Sequence, residues 1–161
     1  NMDMEREQKK STYTPYQMSV IMERMHAINT SAEVIDYGEG ERLYPVEAHI
    51  LSSIAEHPGT FVTELAQEWN RTKGTISQIL KKLESKNLVY RKYESRDKRK
   101  ASLYVSEEGM RLHQAHIDYD TKSYERFFEE LTKYYSREQV WQTFEVLEKW
   151  IELEKEGNSV W

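Results

Sequence analysis

The spacing of apolar residues predicts four helices in the first half of the chain. Methionine and isoleucine recur at helical spacing after Pro15, and a second periodic segment begins at Pro45, a residue suited to the first turn of a helix. The segment HPGT (57–60) ends that helix, and Thr60 or Thr63 is expected to cap a third. After a short turn at 70–72, a fourth helix has one apolar side, formed by Ile76, Ile79, Leu80 and Leu83.

Strand-like segments at 88–93 and 100–105 follow the fourth helix and predict a β-hairpin. Ser106 is expected to cap a long helix, and Ser136 with Gln139 forms a capping-box pattern for a last one. The last helix carries an apolar stripe, with Trp141 beside it: Val140, Phe144, Leu147 and Ile151. The predicted fold is therefore mainly α with a small β-wing.

Charge is unevenly distributed along this sequence. The chain carries −5 overall, but residues 71–100 hold eleven Lys or Arg against three acidic residues, a net +8 that leaves −13 for the remainder. A basic segment within an acidic chain is typical of a site for a polyanion. A solvated charged face would explain a basic helix alone, but it explains a helix followed by a basic hairpin less well.

Two short helices joined by a tight turn favour a helix-turn-helix, whose second helix enters the major groove of DNA. Thr72 and Gly74 lie at the start of that helix, where free N–H groups favour phosphate. Its polar side offers groups that bond base edges and groups that neutralise phosphate. We expect base contacts from Thr75, Ser77 and Gln78, and phosphate contacts from Lys73, Lys81, Lys82, Lys92 and Lys100.

The hairpin has a cationic tip, with five basic and two acidic residues between Lys92 and Lys100. A wing beside a recognition helix can reach the neighbouring minor groove, which is narrow and strongly negative at A·T tracts. We expect the basic residues of the tip to lie there: Arg96, Lys98 and Arg99. Asp97 is expected to be a local partner of an arginine that stiffens the tip.

Over roughly residues 15–155 the chain resembles the MarR (multiple-antibiotic-resistance-repressor) family of winged-helix regulators. The family's wing pattern is Asp-x-Arg-Asp-x-Arg, then a strand, then Leu-Thr-x-x-Gly. Here it reads Glu94-Ser95-Arg96-Asp97-Lys98-Arg99, then Val105-Ser106-Glu107-Glu108-Gly109. The departures, Glu for Asp and Val-Ser for Leu-Thr, are chemically mild.

The resemblance implies an obligate homodimer that reads two half-sites about one turn of DNA apart. It places Arg96 or Lys98 in the minor groove and makes Asp97 and Arg99 the pair that shapes the wing. Family members usually repress transcription, and often release DNA when a small ligand binds between the dimer helices and the DNA-binding lobe. The implied dimer interface uses the apolar stripes of the outer helices: Met18, Ile21, Met22, Met25, Val140, Trp141, Phe144, Leu147 and Ile151.

The predicted architecture is a winged helix-turn-helix domain with N- and C-terminal dimerisation helices. Residues 1–14 are expected to be a disordered N-terminal tail, and 15–44 the N-terminal dimerisation helix and a loop. The DNA-binding domain is expected over 45–106, and the long C-terminal helix with the second dimerisation helix over 107–161.

We predict no cofactor and no metal, because scattered histidines are usually ordinary polar residues. Zinc-sensing members of the family nevertheless place ligands near His49 and His116, with Asp120 one helical turn further on, where histidine is usual. The first-helix ligand stays open among Glu23, His26 and Glu33. The absence of cysteine excludes a thiol sensor. We expect no enzyme, since no activated serine, phosphate loop or paired carboxylates stand in a recognisable context.

The sequence therefore predicts a cytoplasmic, ligand-responsive repressor without membrane contact. Its expected partners are a second copy, double-stranded DNA with a pseudo-palindromic operator, and a small effector of unknown identity. One alternative is a zinc-responsive regulator of the same family. Another is a winged-helix protein-interaction module that does not bind DNA, which differs from the DNA-binding protein in its response to salt.

Overall fold

The computed structural model describes residues 13–94 and 97–156, except the side chains of 94 and 97–99. It divides into two units, one up to Glu33 and the other from Val34 onwards. The first unit contains helix α1, Pro15–Thr30, which begins at the predicted proline and has no buried residue. Thr14 caps it, since its hydroxyl accepts a hydrogen bond from the Gln17 N–H at 3.2 Å.

The second unit contains the winged helix-turn-helix and the two C-terminal helices. In chain order its elements are β1 (Ile35–Asp36), β2 (Arg42–Leu43), α2 (Pro45–Glu56), α3 (Val62–Glu68), α4 (Lys73–Ser85), β3 (Val89–Glu94), β4 (Asp97–Val105), α5 (Glu107–Leu131) and α6 (Arg137–Lys155). The helices and the wing follow the predicted order, which confirms a mainly α fold with a small β-wing.

The short antiparallel hairpin β1–β2 was not predicted from the sequence. Its loop contains Gly38 and Gly40, which have φ angles of 101° and 82°. Glycine adopts such angles at little cost, so the glycines that signal a loop in the sequence also allow the chain to reverse. Two-residue strands are too short to show the alternation that identifies a strand.

The predicted cap of α3 is wrong. The cap position is Phe61, between the two threonines proposed for it, and Phe61 has no side-chain acceptor. The Glu64 side chain supplies the missing acceptor, because its carboxylate accepts from the Phe61 N–H at 3.1 Å and from the Thr60 hydroxyl at 2.5 Å. These hydrogen bonds lower the pKa of Glu64 and keep its carboxylate ionised.

The start of α4 agrees with the prediction from the sequence. The Thr72 hydroxyl accepts from the Thr75 N–H at 3.1 Å and caps the helix. Ile76, Leu80 and Leu83 are fully buried and Ile79 nearly so, which confirms the predicted apolar side. The helix ends before Asn87, which adopts a left-handed φ of 56° and leads the chain into the wing.

Strands β3 and β4 form the predicted antiparallel wing, with Tyr90 opposite Tyr104 and Lys92 opposite Ser102. Ser106 then caps α5 by accepting from the Gly109 N–H at 3.0 Å. Gly109 packs directly against the main chain of Leu88, where a Cβ would overlap the Leu88 carbonyl oxygen. The last glycine of the family pattern therefore allows α5 to start against the base of the wing.

One hydrophobic core joins α2, α3, α4 and the wing to the first part of α5. Its fully buried side chains are Leu43, Ile50, Leu51, Ile54, Leu65, Ile76, Leu80, Leu83, Leu103 and Leu112. This core holds α4 by its apolar side, so the opposite side faces solvent. No helix among the described residues is long and apolar enough to cross a membrane.

Candidate nucleic-acid interface

The polar side of α4 carries most of the predicted DNA-binding set that the structure describes. Lys73, Gly74, Gln78, Lys81 and Lys82 are exposed, whereas Thr75 and Ser77 are half-buried. All of them lie on the element whose other side is fixed in the core. The helix therefore presents amide, hydroxyl and ammonium groups from a rigid support.

Two hydroxyls at the start of α4 are already engaged with one another. Thr72 Oγ1 and Thr75 Oγ1 lie 2.9 Å apart, and either can donate. Thr72 also accepts the Thr75 N–H, so its role as a helix cap is established by geometry. Gln78 has no such local partner within the described part of the chain, which leaves its amide open for an external donor and acceptor.

Part of the basic segment is neutralised within the protein. Lys82 Nζ lies 3.1 Å from Glu47 Oε1, and the Glu47 side chain is only 7% exposed. Two other pairs follow the same principle: Lys86 with Glu41 at 2.6 Å and Arg91 with Glu84 at 2.7 Å. Lys73 and Lys81 have no ion-pair partner among residues 13–94 and 97–156. Lys81 is therefore more available for a phosphate contact than Lys82, although the sequence analysis predicted the same role for both lysines.

The outer face of the wing combines aromatic rings with a lysine. Tyr90 and Tyr104 stack with ring centroids 5.6 Å apart, and Lys92 Nζ lies 4.7 Å from the Tyr104 centroid. This cation–π contact holds the ammonium near the base of the wing. Lys100 is exposed on the opposite strand. The predicted residues of the wing tip lie outside the described side chains: the cationic set Arg96, Lys98 and Arg99, and their expected partner Asp97.

The metal candidates of the sequence come together between α2 and α5. Asp120 Oδ2 lies 3.0 Å from His116 Nε2 and 3.6 Å from His49 Nε2, and all three ligand atoms lie within 4.8 Å of one another. His116 Nε2 is buried and, within the described residues, forms no hydrogen bond of acceptable geometry, although it lies close to the carboxylate. Burial lowers the pKa of His116, which keeps the imidazole neutral and able to bind a metal ion.

Surrounding residues hold His116 in this orientation. Its Nδ1 lies 3.0 Å from Ser52 Oγ, and His113 Nδ1 lies 2.8 Å from the same hydroxyl. Because a hydroxyl has one proton, it can donate to only one imidazole and accepts from the other. Tyr37 packs edge-on against His116, and burial together with Asp120 raises the pKa of Tyr37 to about 12. Its hydroxyl is buried without a hydrogen-bond partner in the described structure.

The predicted dimerisation residues occupy different environments. On α1, Met18, Ile21, Met22 and Met25 are between 38% and 50% exposed. On α6, Trp141, Phe144 and Ile151 are 45–59% exposed, and Leu147 is half-buried. Val140 differs, because its own chain already covers it to 4% exposure. The α6 stripe thus leaves large apolar side chains uncovered in a single chain.

Sequence reasoning missed Glu47 and the Ser52–His113 pair. Glu47 occupies the first turn of α2, where an acidic residue is favourable, and that position was its only sequence signal. Its bond with Lys82 joins residues 35 apart in the chain, so it depends on the tertiary fold. Ser52 carries no signal of its own, because a serine within a helix is usually solvent-facing.

Comparison with known proteins finds transcriptional regulators with similar sequences. The sequence model described as MarR family matches residues 43–101, from β2 to the wing. An uncharacterised HTH-type transcriptional regulator of Bacillus subtilis, YhjH, is 29% identical over 104 residues, 65% of this chain and 59% of that protein. The HTH-type transcriptional repressor MdtR of the same organism is 26% identical over 77 residues, 48% of this chain and 50% of that protein. The chain thus spans between half and three fifths of these curated relatives.

Solved structures share the fold over most of their length. A MarR protein from Peptoclostridium difficile superposes with a TM-score of 0.71 at 21% identity, covering 91% of this chain and 92% of that one. MepR of S. aureus, crystallised with DNA, gives a TM-score of 0.63 at 22% identity, with 87% and 98% coverage. ZitR of Lactococcus lactis, a zinc-responsive member, gives 0.61 at 17% identity, with 83% and 96% coverage.

Proposed function

We propose that this chain, whose residues 43–101 match the MarR family model, is a winged-helix transcriptional regulator of that family that binds duplex DNA as a homodimer and represses transcription. The proposed operator is a pseudo-palindrome whose half-sites lie about one helical turn apart. Each protomer inserts α4 into the major groove and the tip of its wing into the adjacent minor groove. In this proposal, DNA is the polyanion that the basic segment of residues 71–100 indicates.

The observation that carries this proposal is the exposed polar side of α4. Gln78 can form two hydrogen bonds with an adenine edge, while Lys73 and Lys81, which pair with no acidic side chain in the described part of the chain, provide charge for nearby phosphates. The apolar side of the same helix is fully buried, so these groups keep their positions. A partner with regularly spaced negative charges and readable edges fits this arrangement. The crystallised DNA complex of MepR, with the same fold, supports the proposal.

Selection of bound fragments from genomic DNA tests the proposal directly. We expect recovery of one pseudo-palindromic sequence, with binding that weakens steeply as salt rises because counterions are released. Gln78→Ala should relax the preference at one base pair per half-site by about 1–3 kcal/mol. Recovery of no sequence above background, by a protein that is dimeric and folded, would favour the alternative of a protein-interaction module. Such an interface, built on apolar contacts, would respond weakly to salt.

We propose that the exposed stripes of α1 and α6 form the dimer interface. Trp141, Phe144 and Ile151 expose about half of their surface in the single chain, which is unusual for side chains of this size. A C2 interface would cover two copies of the stripe at once. Sedimentation at micromolar concentration should give the mass of two chains. Phe144→Glu should shift that mass towards the monomer, whereas Glu145→Lys on the adjacent surface should not.

A second candidate function is a zinc-responsive form of the same regulator. Two imidazole nitrogens and one carboxylate oxygen form a common donor set for zinc, and His116 Nε2 already lies 3.0 Å from Asp120 Oδ2. Ser52 orients His116 from the far side of its ring, as supporting residues do in metal sites. His49 lies on α2 and the other two lie on α5. A bound ion would therefore fix the helix-turn-helix lobe to the long helix.

Zinc titration of chelator-treated protein tests this candidate. Wild-type protein should bind about one ion per chain, and Asp120→Asn should bind it much more weakly. Asp118→Asn is the matched control, since Asp118 is an exposed carboxylate two residues away on the same helix. Equal zinc binding by the Asp120→Asn variant and the wild type would exclude the site. Measuring DNA affinity with and without zinc then shows whether the ion affects regulation.

A further inference from the structure

Three buried polar side chains between α2 and α5 form a chain of hydrogen bonds that the DNA-binding proposal does not use. Ser52 Oγ lies 2.8 Å from His113 Nδ1 and 3.0 Å from His116 Nδ1. Ser52 and His113 are each 8% exposed and His116 is 3% exposed, so water has little access to these bonds. The protons of this group are therefore arranged among the three side chains themselves.

Two arrangements place the Ser52 hydroxyl proton within one of the two short contacts. In each of them the hydroxyl donates to one imidazole nitrogen and its oxygen accepts from the other. Burial lowers the pKa of His116, so its ring is neutral and carries one proton, on either Nδ1 or Nε2. The direction of the two hydrogen bonds therefore determines which nitrogen of His116 is protonated.

The carboxylate of Asp120 favours one of the two arrangements. Asp120 Oδ2 lies 3.0 Å from His116 Nε2. At this distance the carboxylate attracts a proton on Nε2 and repels a lone pair there, even though the contact is too bent to count as a hydrogen bond. We therefore expect His116 to carry its proton on Nε2 in the metal-free protein. The Ser52 hydroxyl then donates to His116 Nδ1, and its oxygen accepts from His113 Nδ1.

Zinc binding requires the opposite arrangement, and this step rests on the zinc candidate proposed above. His116 Nε2 must lose its proton to offer a lone pair to the ion, so the neutral ring carries its proton on Nδ1. That N–H points at Ser52 Oγ, and the Ser52 proton must turn to another acceptor. His113 Nδ1 lies 2.8 Å away and becomes that acceptor once its ring carries the proton on Nε2.

We propose that Ser52 and His113 form a proton relay for His116, and that zinc binding reverses both hydrogen bonds of Ser52. In the reversal the proton of His113 Nδ1 passes to Ser52 Oγ, and the Ser52 proton passes to His116 Nδ1. Water takes the proton released from His116 Nε2 and supplies the one that His113 Nε2 gains. All three side chains keep their charge. Ser52 and His113 are thus positioning residues that act through His116.

NMR of the full chain with ¹⁵N-labelled histidine tests the relay, because it identifies the protonated nitrogen of each ring. The spectra are recorded without DNA at about pH 8, where free histidine is neutral. In the chelator-treated protein we expect the proton of His113 on Nδ1 and that of His116 on Nε2. After zinc is added, we expect the proton of His113 on Nε2 and that of His116 on Nδ1.

Variants of two adjacent serines test the effect on zinc affinity. Ser52→Ala should weaken zinc binding roughly 10-fold to 100-fold, because the Nδ1–H of zinc-bound His116 loses its buried acceptor. Ser52→Thr keeps a hydroxyl and should restore most of the affinity. Ser53→Ala is the matched control, since it removes an equally buried hydroxyl of α2 that bonds Trp69 and Glu68 instead of an imidazole. Circular dichroism of each variant checks that it is folded.

A His113 ring that keeps its proton on the same nitrogen with and without zinc would overturn the relay. Wild-type zinc affinity in a folded Ser52→Ala variant would also overturn it. A protein that binds no zinc would overturn the zinc candidate together with the reversal, and the spectra of the metal-free protein would still decide the direction of the two bonds. No step involves DNA, so failure of the DNA-binding proposal would leave the relay intact.

Discussion

Gly109→Ala should destabilise the protein, although alanine favours helices more than glycine does. In a helix the substitution would ordinarily gain up to about 1 kcal/mol. At this position the added Cβ overlaps the carbonyl oxygen of Leu88, and it would lie 3.1 Å from the Leu88 carbonyl carbon and 2.5 Å from Val105 Cγ1. The Leu88 carbonyl cannot rotate away without losing the Ser106 N–H, which it accepts at 3.0 Å.

The expected magnitude follows from these two opposing contributions. Overpacking of a well-packed contact costs about 1–3 kcal/mol and more where backbone must move. The clash therefore exceeds the gain in helix propensity, and we expect a net loss of about 1–2 kcal/mol in the free energy of unfolding. Urea unfolding followed by circular dichroism, at one fixed protein concentration, measures it as a lower midpoint with an unchanged slope.

Gly74→Ala is the matched control, because it also places alanine in the first turns of a helix. Its Cβ would meet only Thr72 Oγ1 at 3.8 Å, an ordinary contact. We expect this variant to be as stable as the wild type or more stable by up to about 1 kcal/mol. If Gly109→Ala proved equally stable, the close approach of α5 to the base of the wing would be refuted as the reason for glycine at this position.

Two further predictions concern charge. Lys81→Ala should lower the slope of log DNA affinity against log salt concentration by about 0.9 per protomer. Lys82→Ala should lower that slope less, because Glu47 already neutralises Lys82. Equal slopes for the two variants would show that the Lys82–Glu47 ion pair opens when DNA binds. The pKa of Glu64 is lowered in the folded state, so its contribution to stability is present above its ordinary pKa of 4.5 and lost as pH falls through the folded value. The wild type should therefore lose stability more steeply than Glu64→Gln on acidification, and parallel unfolding curves would contradict this.

The sequence predicted those features that depend on local chemistry. The buried side of α4, the capping box of α6 and the Ser106 cap of α5 each follow from residues within one or two turns. The wing was recognisable because two strand-like segments flank a charged tip. In each case the residues that specify the element are also those that form it, so no knowledge of the tertiary fold was needed.

The sequence could not predict which charges remain available. Lys81 and Lys82 are adjacent and chemically identical, but only Lys82 meets a buried carboxylate, and that carboxylate lies on another helix. The same limit applies to the cap of α3. The sequence suggested Thr60 or Thr63 as the capping residue, but the Glu64 carboxylate accepts the hydrogen bond from the Phe61 N–H. The Glu47–Lys82 pair joins residues 35 apart in the chain. It depends on how two helices pack, which the sequence pattern of one helix does not show.

Helix α2 contacts both the polar side of α4 and the zinc candidate. Its first turn holds Lys82 of α4 through Glu47, and its middle contributes His49 to the zinc candidate. Ser53, one turn after His49, orients both Trp69 and Glu68. Because His49 also stacks on Trp69, which ends α3, the zinc candidate is in contact with the residue that precedes the turn into α4.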